Sequence, residues 1–168
     1  MNTDPERHEK LFSDDKEHLE HFFNINLDLL CIADTAGNFI KVNKEWGELL
    51  GYSSQELEGR SFLDFVHPND IEKTKKALEK LDKQQAVLNF VNRYKSKDGK
   101  YQFIEWRAKP AGQYIYAAAR DITDRIEIEK QQQHLNLKLK KKNEEFEEIN
   151  KNLQEAKIKA EESEATLV

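Results

Sequence analysis

After Asp121-Ile122-Thr123-Asp124-Arg125 the chain contains no glycine and no proline up to Val168. Nothing in that stretch interrupts a helix, and its apolar pattern has the period of one. Leu135, Leu139, Lys142, Phe146, Ile149, Leu153, Ala156, Ala160, Ser163 and Leu167 follow one another at alternating steps of four and three, with only Lys142 and Ser163 not apolar. Such a seam is the heptad signature of a coiled coil. Fully helical, residues 123–168 would extend about 69 Å, too long a rod to bury its own stripe. A second copy of the chain is therefore the expected partner. Lys142 interrupts the seam, Ala156, Ala160 and Ser163 thin it, and Asn136, Asn143, Asn150 and Asn152 provide little charge-based registry, so the pairing is easily shifted. At the start of the helix, Thr123 is expected to accept from first-turn N–H groups and Asp124 to complement the helix dipole.

Upstream the texture is mixed, with the breakers and aromatics of a compact domain. Residues 1–13 form a polar N-terminal segment. Over 14–26, Leu19, Phe22 and Phe23 share one face and Asp14 and Glu17 have capping-box spacing, which predicts an amphipathic helix. Leu29 to Ala33 and Phe39 to Val42 read as strands around the turn Asp34–Asn38. Asn43 is placed to cap a helix carrying Trp46, Leu49 and Leu50, stopped by Gly51, and Ser53 and Glu56 form a second capping box. Short helical turns follow around Phe62–Val66 and His67–Asp70, where Pro68 suits a first helical position. A longer helix to about Leu81 turns Ile71, Leu78 and Leu81 inward. Val87–Tyr94 and Tyr101–Ala108 are strands joined through Asp98-Gly99, Pro110-Ala111-Gly112 is a turn, and Tyr114–Arg120 is a last strand. Five strands with helices inserted between the second and third are not a doubly wound parallel sheet; the fold class is α+β.

Composition limits the function. The 168 residues are 38% hydrophobic and 35% charged, with net charge -5 and Lys and Glu interleaved, so no basic field exists for nucleic acid. No apolar run approaches the roughly 20 residues of a membrane helix, and Met1–Glu6 has no signal-peptide core; a cytoplasmic location is expected. A single cysteine, Cys31, excludes a disulfide framework or a cysteine-rich zinc site. His18 and His21 share a helix face but are too few for a metal, and His8 lies beside them. There is no phosphate-binding glycine loop, nucleophile elbow or paired-carboxylate context, so no catalytic residue is assigned.

In order and with compatible spacing, Asp28-Leu29-Leu30, Asp34-x-x-Gly37, Val42-Asn43, Leu50-Gly51-Tyr52-Ser53, Glu56-Leu57, Gly59, Phe65-Val66-His67-Pro68-x-Asp70, Lys97-Asp98-Gly99, Trp106 and Arg120-Asp121-Ile122-Thr123 resemble a PAS domain. The resemblance covers about Phe22 to Arg125. It implies a five-stranded antiparallel sheet in order 2-1-5-4-3 over residues 27–122, small helices enclosing a pocket on one face, and a signalling helix over 123–168. The stretch 150–165 is similar to the helix that precedes the phospho-accepting histidine in sensor histidine kinases.

What the resemblance implies is a sensory relay module of a two-component histidine kinase, with the kinase domain elsewhere in the parent. Alternative outputs are a diguanylate cyclase or a chemoreceptor, and a different class of reading is a ligand-free dimerisation module. Asp121, Ile122, Thr123, Asp124 and Arg125 are the expected transmission element. Candidates for the pocket are Asn43, Trp46, Phe62, Phe65, Asn92 and Trp106, with Asn43 and Asn92, and less so Arg107, to orient a ligand. No cofactor is expected, although a small-molecule ligand is compatible with the pocket. Flavin-bonding relatives carry an Asn-Cys-Arg-Phe motif on a helix, whereas Cys31 sits in an apolar strand. Haem-binding relatives place a histidine on the long helix, and Asn69–Leu81 has none. His67 is read as a cap before Pro68, and His134, followed by Leu135-Asn136-Leu137, as part of a solvated helix face rather than an acceptor.

Overall fold

The computed structural model describes residues 16–165; the segment 1–13, the capping residue Asp14 and the last seam position Leu167 lie outside them. The chain divides after Thr123 into two units.

In the first unit a helix over 16–25 (α1) is followed by β1 (Leu29–Asp34), β2 (Phe39–Val42), α2 (Glu45–Leu50) and α3 (Ser54–Leu57). Two 3-10 turns, Phe62–Phe65 and Pro68–Asp70, lead into α4 (Ile71–Asp82), and β3 (Val87–Lys95), β4 (Tyr101–Ala111) and β5 (Tyr114–Asp121) complete the sheet. The strands are antiparallel and stand in the order β2-β1-β5-β4-β3. Local chemistry accounts for the small elements. Ser53 and Glu56 make the reciprocal capping box of α3, Gly51 stops α2 at φ 76°, and Pro68 opens its turn with His67 Nδ1 accepting from Asn69 N at 3.1 Å.

The core lies between one sheet face and α2–α4. Alternation along the strands sends Cys31 and Ala33, Asn92 and Tyr94, Ile104, Trp106 and Ala108, and Ile115, Ala117 and Ala119 to buried positions. The opposite face presents Leu30, Ile32, Tyr116 and Arg107. The α1 stripe does not close over apolar neighbours within one chain: Leu19 is 69% and Phe22 67% exposed.

The structure corrects three local expectations. Asn43 is not the cap of α2; that position is Lys44, which makes no side-chain cap bond. The Asn43 carboxamide is instead buried, with Oδ1 accepting from Leu30 N at 3.0 Å and Nδ2 donating to Asp28 O at 2.9 Å and Phe23 O at 3.2 Å. Main-chain groups leaving α1 need partners there, and an amide can serve as both donor and acceptor. Second, Pro110 is inside β4, paired with Ile115. β3 stops pairing at Ala108, so Pro110 has a strand on one side only, the edge setting in which a missing N–H is tolerated. Third, β3 is not a regular strand. Val87 pairs with Ala108 and Phe90 with Trp106, leaving Leu88 and Asn89 opposite one residue, with Asn89 at φ 55°. This bulge keeps Val87 on the same face as Phe90, Asn92 and Tyr94, which an uninterrupted two-residue period would not.

The second unit is the α5 helix (Thr123–Ala165) from Asp124 onward. Its 43 residues run about 65 Å. Leu135, Leu139, Phe146, Ile149 and Leu153 are each more than half exposed, and Arg125 Nε pairs with Glu129 Oε1 at 3.0 Å. Among the described residues no helix is long and apolar enough to cross a membrane.

Candidate functional site

Two features of the first unit carry chemistry: a cavity inside the core, and the joint where β5 becomes α5.

The cavity has a volume of about 60 Å³ and lies between the sheet and α4. Its walls come from every strand, through residues such as Cys31, Phe39, Asn92, Trp106 and Ala117, and from Thr74, Ala77, Leu78 and Leu81 of α4. Small side chains on β1, β4 and β5 create the space: Ala33, Ala108 and Ala117 face it where larger residues would fill it. Around it the aromatics pack ring on ring, with Trp46 edge to face with Tyr94 at 5.8 Å and Tyr94 tilted against Trp106 at 5.4 Å between centroids. Burial pushes the Cys31 thiol up to about 12 and raises the Tyr94 phenol well above its usual range, so neither ionises near neutrality and Cys31 is an inert thiol.

One polar rail crosses this wall. Trp106 Nε1 donates to Asn92 Oδ1 at 2.7 Å, Asn92 Nδ2 donates to Thr74 Oγ1 at 3.1 Å, and Thr74 Oγ1 donates to Asp70 O at 2.7 Å. Beyond its end, the Asp70 carboxylate takes Arg93 Nε at 2.9 Å, Arg93 Nη2 at 2.8 Å and Arg93 N at 2.9 Å, with Lys73 Nζ at 3.3 Å. This bidentate clamp, led by the Arg93 guanidinium, holds the Asp70 carboxyl far below the usual carboxylate range. It fixes the start of α4 to β3, and with it the rail.

Of the sequence candidates, Phe62, Asn92 and Trp106 line the cavity. Asn43, Trp46 and Phe65 do not. Asn43 serves the main chain before β1, Trp46 is fully buried with Nε1 donating to Leu30 O at 3.0 Å, and Phe65 packs on Tyr52 and beneath Arg60. Arg107 is exposed on the opposite sheet face. Thr74 and the Asp70–Arg93 clamp were not anticipated. Thr74 had a signal: it occupies the inward stripe Ile71, Thr74, Leu78, Leu81, where a lone hydroxyl must find a partner. Arg93 had none, because its partner lies 23 residues away.

At the joint, Thr123 does not cap the first turn as expected. Its Oγ1 accepts from Phe103 N at 2.8 Å and donates to Asp121 Oδ1 at 2.5 Å, while Asp121 Oδ1 also accepts from Thr123 N at 2.9 Å. The last ladder pair between β4 and β5 is Ile104 with Asp121. Phe103 is one residue past it, so its N–H takes the Thr123 hydroxyl and its carbonyl takes Ile122 N at 2.9 Å. Ile122 is buried. Phe103, a backbone contributor, is invisible to motif reading. Beside the joint Arg120 is held by Asp28 at 3.1 Å, which places the segment leaving α1 next to the end of β5.

A family profile described as "PAS fold" matches residues 39–116. Among curated proteins, the probable diguanylate cyclase DgcE of Escherichia coli (strain K12) is 26% identical over 91 residues, a stretch that takes in 54% of this chain and 8% of that protein. Among solved structures, the PAS domain of an HTR-like protein from Haloarcula marismortui has a TM-score of 0.62 at 26% identity, over 70% of this chain and 99% of that one. A domain of the sensory box sensor histidine kinase/response regulator from Geobacter sulfurreducens has a TM-score of 0.57 at 18% identity, over 64% and 94% of the two chains. At that identity the likeness is one of fold.

Proposed function

The chain carries a PAS domain, and from that premise we propose that it is the sensory and relay segment of a signalling protein, passing a change in the sheet through Asp121–Arg125 into a dimeric coiled coil. The observation that carries this reading is the joint. The first residue of α5 is bonded to β4 through Phe103 and to the end of β5 through Asp121, so a shift of either strand alters how the helix begins. Signalling needs such an element to have two arrangements that an input can bias. Exposed Leu139, Phe146, Ile149 and Leu153 suit pairing with a second copy, and the polar Lys142 suits a pairing that can move.

For the output we favour a two-component histidine kinase in the parent protein. Support comes from the similarity of 150–165 to the helix that precedes the acceptor histidine in sensor histidine kinases. A diguanylate cyclase output is the second reading, favoured by the curated relative; sequence following Val168 in the parent separates the two. The cavity of about 60 Å³ supports a domain without flavin or haem, since pockets for such molecules span about 300–1,000 Å³.

The test is Asp121→Ala in the full-length parent, with output activity followed as the input varies. The domain remains folded and the output no longer tracks the input. An output response equal to that of the wild type would refute the relay.

A further inference from the structure

Size, lining and satisfied polar chemistry restrict what the core cavity can hold. We propose that it takes a small neutral apolar molecule, a dissolved gas or a hydrocarbon of two or three carbons, as the input of the sensory domain; this rests on the sensory reading given above. A volume of about 60 Å³ exceeds the ~10–15 Å³ that one small probe needs and falls well below the ~150 Å³ of an engineered cavity that binds benzene. Aromatic rings and sugar-sized metabolites are excluded by size.

Polarity narrows the choice further. The polar rail is bonded within itself: Trp106 Nε1 and Thr74 Oγ1 each donate to a protein acceptor, and the Asn92 amide both donates and accepts. The remainder of the lining is apolar side chains, the Cys31 sulfur, whose thiol stays protonated, and Tyr94, whose phenol is tied to the Asn92 side chain. An ion would lie there without a counter-charge. The few polar atoms of the lining lie along that one rail and already bond one another, so most of the wall offers a water nothing to bond.

A way in is built as well. Phe62, Ala77, Leu78 and Phe90 line the cavity and are only partly buried, so they separate it from solvent on the α4 side. Two of them close against a glycine. A Cβ on Gly37 would stand 3.1 Å from Phe62 Cζ and 3.2 Å from Leu78 Cδ2, and its absence lets both side chains close in on the Gly37 backbone. An occupant that parts them moves α4 relative to β3, where Thr74 and Asn92 are bonded.

Xenon is the probe, because it is apolar, uncharged, highly polarisable and small enough to enter an apolar cavity. Methyl-resolved NMR spectra of the complete chain, recorded under increasing xenon pressure, are expected to show saturable shifts confined to Ala33, Ala77, Leu78, Leu81 and Ala117. Ala77→Leu, on the partly exposed side of α4, and Ala117→Leu, on the sheet, each fill the space from a different wall and weaken binding at least about tenfold. Benzene leaves the wild-type spectrum unchanged and shifts the same methyls in Leu81→Ala. Shifts that rise linearly without saturation, equal xenon affinity in both folded filling variants, or magnetisation transfer from water to these methyls would overturn the proposal. No output domain is involved, so failure here leaves the relay standing, and an unresponsive Asp121→Ala parent leaves the xenon result standing.

Discussion

Replacing Thr123 by Val keeps the β-branched shape at the first residue of α5 and removes only the hydroxyl. Two bonds disappear: Phe103 N to Oγ1 at 2.8 Å and Oγ1 to Asp121 Oδ1 at 2.5 Å. They are not equal in weight. The Phe103 amide is partly buried, and losing its acceptor costs about 1–2 kcal/mol. Asp121 is exposed and keeps the bond from Thr123 N at 2.9 Å, so water replaces the lost donor at little cost. The expected loss is therefore about 1–2 kcal/mol, equivalent to a fall of roughly 5–15 °C in Tm for a domain of this size. Urea unfolding followed by tryptophan fluorescence measures it in the first unit alone, because both tryptophans, Trp46 and Trp106, sit in that core. Amide exchange locates it: Phe103 and Ile122 should exchange faster in Thr123→Val, and Thr123→Ser should restore both protection and stability. An unchanged urea midpoint together with unchanged protection at Phe103 would refute the claim that this hydroxyl ties the helix to β4.

Asp70→Asn removes the charge that Arg93 clamps. Severing a buried pair costs about 3–5 kcal/mol, and because the Arg93 side chain keeps 28% of its surface in water, about 2–3 kcal/mol is expected here by urea titration. The pH dependence has a definite sign. Asp70 is depressed in the folded state, so its contribution is complete above the unfolded carboxyl value of about 4 and is lost as pH falls through the folded one. The wild type should lose stability below about pH 4, and Asp70→Asn should lose less over the same interval; parallel curves would refute it. Gly37→Ala forces a side chain into φ 90° and against Phe62 and Leu78; a loss of about 2–3 kcal/mol is expected, read as a lowered Tm, and a Tm within about 2 °C of wild type would contradict the close approach.

Local signals survived folding where the cause was local. The Ser53–Glu56 box, the glycine stop at Gly51, proline at the first position of its turn and the hairpin at Asp98-Gly99 each depend on a few adjacent residues. The same is true of α5, whose length follows from an absence of breakers. Asn43 and Thr123 show the limit of this logic. Both are good capping residues, and both were drawn instead to main-chain groups brought alongside by the fold, Asn43 to Phe23, Asp28 and Leu30 and Thr123 to Phe103. A cap is one way to satisfy a side-chain oxygen, and a closer orphan N–H outcompetes it.

Alone, the sequence determined the class of the fold, the place where a mixed domain gives way to an unbroken helix, and the heptad along that helix, because periodicity and breakers act over short spans. Only the tertiary structure decided that a bulge at Leu88-Asn89 keeps Val87 on the cavity side, that Asn92 is reached by Thr74 and Trp106 while Asn43 is not in the cavity, and that Asp70 is clamped by Arg93. Those outcomes turn on register and on partners many residues apart, and one inserted residue in a strand is enough to exchange which side chains meet.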